Sequence, residues 1–181
     1  MAKSKKNQKG LIINIIIIAL AVLTVCTLFF NVFKVTGTLL GKETVETIKG
    51  TDVFTVAFAG ETPEGNASML YALKTAEETA FVTKVFCWSY MLTVLVSLGT
   101  LVFAILNILG MKFKLINTIL GIALVVLAIV AFIFAIVVAG KFALDVLGLG
   151  LAKTEGAIAF GSILMFAALI AGGAQVYKAR T

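Results

Sequence analysis

The chain has 181 residues, 61% of them hydrophobic and 13% charged, with 15 Lys and Arg against nine Asp and Glu, a net charge of +6, and no histidine. By length it is one compact unit, and by composition a membrane protein. The composition excludes a histidine general base, a histidine haem ligand and a histidine-rich metal site. Nor does the basic excess read as a nucleic-acid footprint, because those residues are spread over the ends of apolar segments.

Four stretches contain no Asp, Glu, Lys, Arg or His: Leu11–Phe33, Val85–Met111, Leu115–Gly140 and Gly156–Tyr177. A hydrocarbon core of about 30 Å needs about 20 apolar helical residues, and each stretch is longer than that. Segments such as Ile15–Ile18 are apolar all round, as lipid-facing helices are. The expected fold is therefore an all-α membrane protein: an antiparallel bundle of four transmembrane helices, with a small extracytoplasmic β-hairpin in the first outer loop. We divide the chain into a basic tail (1–10), spans at 11–33, 81–109, 115–139 and 158–177, outer loops at 34–80 and 140–157, a turn at 110–114 and a tail at 178–181.

The tail opens with Lys3, Lys5, Lys6 and Lys9, the 110–114 turn carries Lys112 and Lys114, and the C-terminus carries Lys178 and Arg180. None of these segments contains an acid; all nine acids fall on the other side, seven of them between Lys34 and Lys84 and then Asp145 and Glu155. Basic residues are retained on the cytoplasmic face, so both termini are expected inside, in a plasma or cytoplasmic membrane. Contact of the Lys tail with anionic lipid follows as a by-product. The first span also has the layout of a secretory signal, but it is long for one and no small-x-small cleavage pattern follows.

In the 34–80 loop, Thr44–Ile48 and Val53–Phe58 are rich in β-branched and aromatic residues, and Lys49-Gly50-Thr51-Asp52 between them is a polar turn. The pattern predicts a hairpin whose second strand presents Phe54, Val56 and Phe58 on one face. That face needs cover, from the bundle or from a neighbouring protein, and is the candidate partner-binding surface. Beyond the turn-forming residues 60–66, Ser68 caps a helix predicted to run unbroken to Leu109. Asn66-Ala67-Ser68 fits the glycosylation sequon, which has meaning only in a eukaryotic secretory pathway.

Gly110–Lys114 is a tight turn that makes spans two and three antiparallel neighbours. In the last outer loop, Phe142, Leu144, Val146 and Leu147 suggest a half-buried segment resting on lipid or meeting a partner. Four spans, cytoplasmic termini, a long β-rich first outer loop and a short second one give a layout that resembles the claudin and peripheral-myelin group of tetraspan proteins. The resemblance is one of topology: the claudin first loop carries a tryptophan-containing signature and a cysteine pair, whereas here the sole tryptophan, Trp88, starts the second span. Claudin barrier and pore residues are accordingly not carried over.

Chemistry-bearing residues are few. Cys26 and Cys87 lie within or at the edge of spans; they read as small buried hydrophobes, with a disulfide conceivable if the first two spans touch. Asp145 and Glu155 are isolated carboxylates, so no acid–base pair, cofactor or metal is expected. Each span has an amide near its cytoplasmic end: Asn14, Asn107, Asn117 and Gln175. The simpler reading is that they tolerate the wet interface without partners; the other is a polar ring that closes the bundle or lines an oligomeric pore. Ser89, Thr93, Ser97 and Thr100 form a stripe on the second span, read as a close-packing surface rather than an aqueous lumen. Small-xxx-small pairs at Ala157/Gly161, Ala168/Gly172 and Ala167/Ala171 add to the packing case for the fourth span. The expected function is a non-enzymatic structural or assembly protein that contacts membrane lipid and, through its outer loop, a second copy or another membrane protein. The alternative is a subunit of an oligomeric channel. A coupled transporter ranks below both, because intramembrane ionisable residues are missing.

Overall fold

A computed structural model describes residues 2–39, 42–111, 113–142, 144–145 and 152–180. The chain runs as α1 (Ala2–Cys26), a 3₁₀ turn (Thr27–Phe29), β1 (Asn31–Leu39), β2 (Lys42–Lys49), α2 (Gly50–Phe58), α3 (Ala67–Thr75), α4 (Ala80–Ile108), α5 (Lys114–Lys141), β3 (Leu144–Asp145), β4 (Ala152–Ile158), α6 (Phe160–Ile163) and α7 (Met165–Arg180). Among the described residues four helical segments are long and apolar enough to cross a membrane: Gln8–Phe29, Ala80–Ile108, Lys114–Lys141 and Phe160–Arg180. Together with a β-hairpin, they fit a tetraspan layout.

The residues group into two compact units. The first contains Met1–Cys26, Leu92–Ile129 and Leu164–Thr181; the second contains Thr27–Met91 and Val130–Ile163. In the first, Leu124, Ala128, Ala168 and Ala171 form a core of mostly small residues, with Leu20, Val96 and Leu169 packed against it. Small side chains let backbones close in. A Cβ built on Gly172 would lie 2.6 Å from the Gly121 carbonyl oxygen, and one on Gly121 would lie 2.8 Å from that of Gly172. Ala168/Gly172 and Ala167/Ala171 thus sit on α7 as the spacing implied. Ala157/Gly161 does not form a helical pair, since Ala157 belongs to β4.

The second unit holds an antiparallel sheet of order β2-β1-β4-β3, in which β3 is a two-residue pairing. It differs from the expected hairpin in three ways. The uncharged run Leu11–Phe33 is not helical to its end: α1 stops at Cys26, and Asn31–Phe33 open β1. Absence of charge cannot separate a buried strand from a span, and Phe33 and Val35 point into the core while Lys34 between them is exposed. Next, β2 covers the predicted Thr44–Ile48 strand, but its partner is β1, in register Val35 with Glu46 and Gly37 with Thr44. Finally, Val53–Phe58 is helix, not strand. The Lys49 N–H donates to Asp52 Oδ2 at 2.8 Å, which caps the start of α2 as one half of a capping box. Val53, Val56 and Ala57 are the buried positions that follow, at helical spacing.

Both of the longer connections share this sheet, because β4 pairs with β1 from Phe33–Ile158 to Leu39–Ala152. The described residues of the 140–157 segment thus contribute β3 and most of β4 to the sheet, and the last long apolar helical segment begins at Phe160. Phe142 is buried against Phe33, with ring centroids 5.6 Å apart, and Phe33 also meets Phe86 at 5.1 Å. Val146, Leu147 and Lys112 lie outside the described residues, as does the side chain of Leu144.

The predicted unbroken helix from Ser68 to Leu109 is two helices with a break at residues 76–79. Neither Gly nor Pro marks the break; tertiary contacts do. Lys74 Nζ donates to the carbonyls of Val56 (2.6 Å), Ala59 (2.9 Å) and Ala57 (3.4 Å) at the end of α2. Thr79 Oγ1 donates back to the Leu73 carbonyl at 2.6 Å. Asn66, not Ser68, is the N-cap of α3; Ser68 Oγ instead donates to the carbonyl of Gly65, whose φ of 67° makes the turn.

Candidate functional site

In the second unit β2 is an edge strand among the described residues: β1 flanks one side and no described strand flanks the other. Lys42, Glu43, Thr44, Val45 and Glu46 are all exposed. Asn66 Nδ2 donates to the Thr47 carbonyl at 2.8 Å, so Thr47 turns its backbone polar groups away from β1. In an antiparallel ladder that orientation repeats every second residue. Val45 and Glu43 therefore turn theirs outward too, while Asn66 occupies the Thr47 position. A sheet edge of this kind is a template for pairing with another chain.

The candidate triad does not share a face, because α2 is a helix. Val56 is fully buried, Phe54 is half-buried, and Phe58 is 67% exposed. Phe58 lies edge-on to Trp88, ring centroids 5.7 Å apart. Gly50, which opens α2, abuts the Tyr90 hydroxyl and the backbone of Thr27 and Leu28. The Tyr90 hydroxyl in turn hydrogen-bonds Thr27 Oγ1 at 3.0 Å, both side chains being buried. This clamp on the turn between α1 and β1 had no sequence signal, since its two residues are 63 positions apart.

The hydroxyl stripe of α4 is buried along its whole length: Ser89 in the second unit, and Thr93, Ser97 and Thr100 in the first. Ser89 Oγ donates to the Phe86 carbonyl at 3.0 Å and Ser97 Oγ to the Thr93 carbonyl at 2.8 Å, each within its own helix. Among the described residues Thr100 Oγ1 is buried with no hydrogen-bond partner, as is Thr83 Oγ1 in the second unit. Thr83 is a further buried hydroxyl of α4, but it stands six residues before Ser89, off the three-or-four-residue rhythm of the stripe, so that spacing gave no signal for it.

In the first unit the four amides are not isolated in a wet interface, as the simpler sequence reading had it. Asn14, Asn117 and Gln175 are buried and Asn107 is half-buried. Gln175 Nε2 donates to Asn117 Oδ1, and Asn117 Nδ2 donates to Asn107 Oδ1, each at 3.2 Å. One chain of hydrogen bonds thus links α7, α5 and α4. Asn14 on α1 is held separately, its Oδ1 accepting from Lys178 Nζ on α7. The reason for the difference is the donor–acceptor inventory: an amide has both functions and pairs with its like across a helix gap.

Both thiols are free, with Cys87 buried and Cys26 partly so. Among the described residues no three or more of His, Cys, Asp and Glu come together. No family model, curated protein or solved structure matches the chain.

Proposed function

We propose that this chain is a non-enzymatic, multi-pass integral membrane protein with both termini cytoplasmic, whose extracytoplasmic sheet docks a second copy or another membrane protein. The observation that carries the assembly role is the β2 edge, where Glu43 and Val45 present backbone groups outward on an exposed strand. The docking element is thus moved from the Phe54/Val56/Phe58 set to residues 42–46. The claudin-like layout agrees with this role at the level of topology. Burial of the whole hydroxyl stripe, and pairing of the amides with one another, favour closed helix packing, so the channel alternative has no observation of its own.

The test is Val45→Pro. It removes an outward N–H while sparing the ladder to β1, so the sheet is retained and the edge is blocked. Membranes bearing the native chain should give cross-linked adducts of defined mass that the variant lacks, with equal thermal stability of the two purified chains. Adducts that survive in a folded Val45→Pro chain would overturn the role of the edge.

A further inference from the structure

The exposed face of α4 changes character along its length. Phe81, Lys84, Trp88, Leu92 and Leu95 are all exposed, at spacings of three, four, four and three residues, which place them on one helix face. The first three are aromatic or cationic, and the following ones are aliphatic, continuing through Leu98 and Val102. Phe81 is 74% and Trp88 45% exposed. To these α2 adds Phe58, stacked edge-on against Trp88. The exposed side of α2 is divided in the same way, polar at Thr51 and Thr55 and apolar at its last residue, Phe58.

We propose that Phe58, Phe81, Lys84 and Trp88 form a phospholipid-binding patch that seats the C-terminal end of α2 at the headgroup–acyl boundary of the membrane. The inference rests on the membrane placement given under Proposed function and not on the assembly role. Aromatic rings with one wet and one apolar environment, and a Lys whose stem lies along apolar surface while its ammonium reaches phosphate, are the groups a bilayer boundary selects. Continuity decides the occupant. The face runs without a polar interruption from Trp88 into the aliphatic side of the span, and about 20 residues separate Trp88 from Ile108, about 30 Å of helix and one hydrocarbon thickness. A boundary at Trp88 therefore leaves Lys84 and Phe81 one and two turns outside it, where headgroups lie. Phe58 and Trp88, from different elements, then sit at one level.

Trp88 is the sole tryptophan, so the unmodified chain reports directly. The full chain is reconstituted in phosphatidylcholine vesicles carrying bromine near the headgroup or near the acyl terminus, and indole emission is measured. Shallow bromine should quench Trp88 more than deep bromine. The chain with Trp88→Phe and Phe58→Trp moves the probe to α2, and it too should lose most of its emission to shallow bromine while resisting acrylamide in the water. Should the moved probe respond to acrylamide and not to bromolipid while native Trp88 responds to bromolipid, α2 stands away from the membrane and the patch is wrong. If the moved probe answers to neither quencher, protein covers it, and the proposal also fails. Stronger quenching of native Trp88 by deep bromine places the boundary elsewhere and overturns it without any variant. No quenching of native Trp88 by either lipid removes the membrane placement itself.

Discussion

Gly172 and Gly173 are adjacent on α7, and only one of them has a neighbour. A Cβ on Gly172 would lie 2.6 Å from the Gly121 carbonyl oxygen, 2.9 Å from Val125 Cγ2 and 3.1 Å from the Val125 nitrogen, whereas one on Gly173 would meet nothing within 4 Å. Two of those three atoms are backbone, so the clash cannot be relieved by a rotamer change. The helices must separate by about 0.5–1 Å, which forfeits about a quarter to a half of the contact energy along their seam. With each atom pair worth about 0.1–0.2 kcal/mol, a seam of some tens of pairs loses about 1–3 kcal/mol, the usual cost of overpacking. Against this, Gly→Ala in a helix gains up to about 1 kcal/mol in propensity. Comparing the neighbours cancels that gain. Gly173→Ala should be neutral or stabilising, and Gly172→Ala should be less stable than it by about 1–3 kcal/mol. The assay is unfolding of the purified chains in mixed micelles titrated with SDS. Equal stability of the two variants would refute the close approach of α5 and α7.

Three further outcomes follow from other contacts. Gly50→Ala should cost about 2 kcal/mol or more, because the added carbon would sit 2.6 Å from the Thr27 carbonyl oxygen and from Leu28 Cα, while Gly60→Ala, with open space, should be silent in the same titration. Lys74→Met keeps the apolar stem but removes the donor shared by the carbonyls of Val56, Ala57 and Ala59; hydrogen exchange should show α2 losing about 1.5–3 kcal/mol of protection while α5 is unchanged. Asn117→Leu breaks both links of the amide chain and should destabilise by about 1–2 kcal/mol in detergent unfolding, since hydrogen bonds between membrane helices average about 0.6 kcal/mol and two groups lose their partners. An unchanged midpoint in that last variant would mean water serves those amides equally well.

The four long apolar helices were legible because the rule for a segment able to cross lipid, about 20 residues without charge, needs no partner to be applied. The sheet was half legible. Thr44–Ile48 announced itself by β-branched content, but its partner strand lay hidden at the end of an uncharged run, where Asn31–Phe33 obey both the span rule and the strand rule. Val53–Phe58 misled for a related reason: six apolar and β-branched residues satisfy a period of two as readily as 3.6, and what decides between them is the bond from the Lys49 N–H to Asp52. The break at residues 76–79 was invisible because no local breaker causes it; the cause includes the reach of Lys74 to α2, a contact of 15 to 18 positions. At the candidate site, spacing found the hydroxyl stripe and the amides as sets. It could not say whether they were paired, since pairing depends on which helices adjoin.

The two buried polar sets answer one constraint in opposite ways. Without water, every polar group in a span needs an internal partner. A Ser or Thr hydroxyl can find one in its own helix, as Ser97 does at the Thr93 carbonyl and Thr24 at the Leu20 carbonyl, 2.9 Å away, although Thr83 and Thr100 do not. It therefore asks nothing of the neighbouring helix beyond a close, small surface, and a stripe of such residues lets helices approach without dictating which helix comes near. The terminal amides of Asn and Gln carry a donor and an acceptor and here bond one another across helices, although among the described residues Gln175 Oε1 has no partner, so the Gln175–Asn117–Asn107 chain fixes which three helices meet and at what height. Hydroxyls permit the packing of this bundle and amides specify it. On that argument, replacing Ser97 by Ala should leave the arrangement intact, whereas replacing Asn117 should loosen the order of the helices even where the net loss of stability is small.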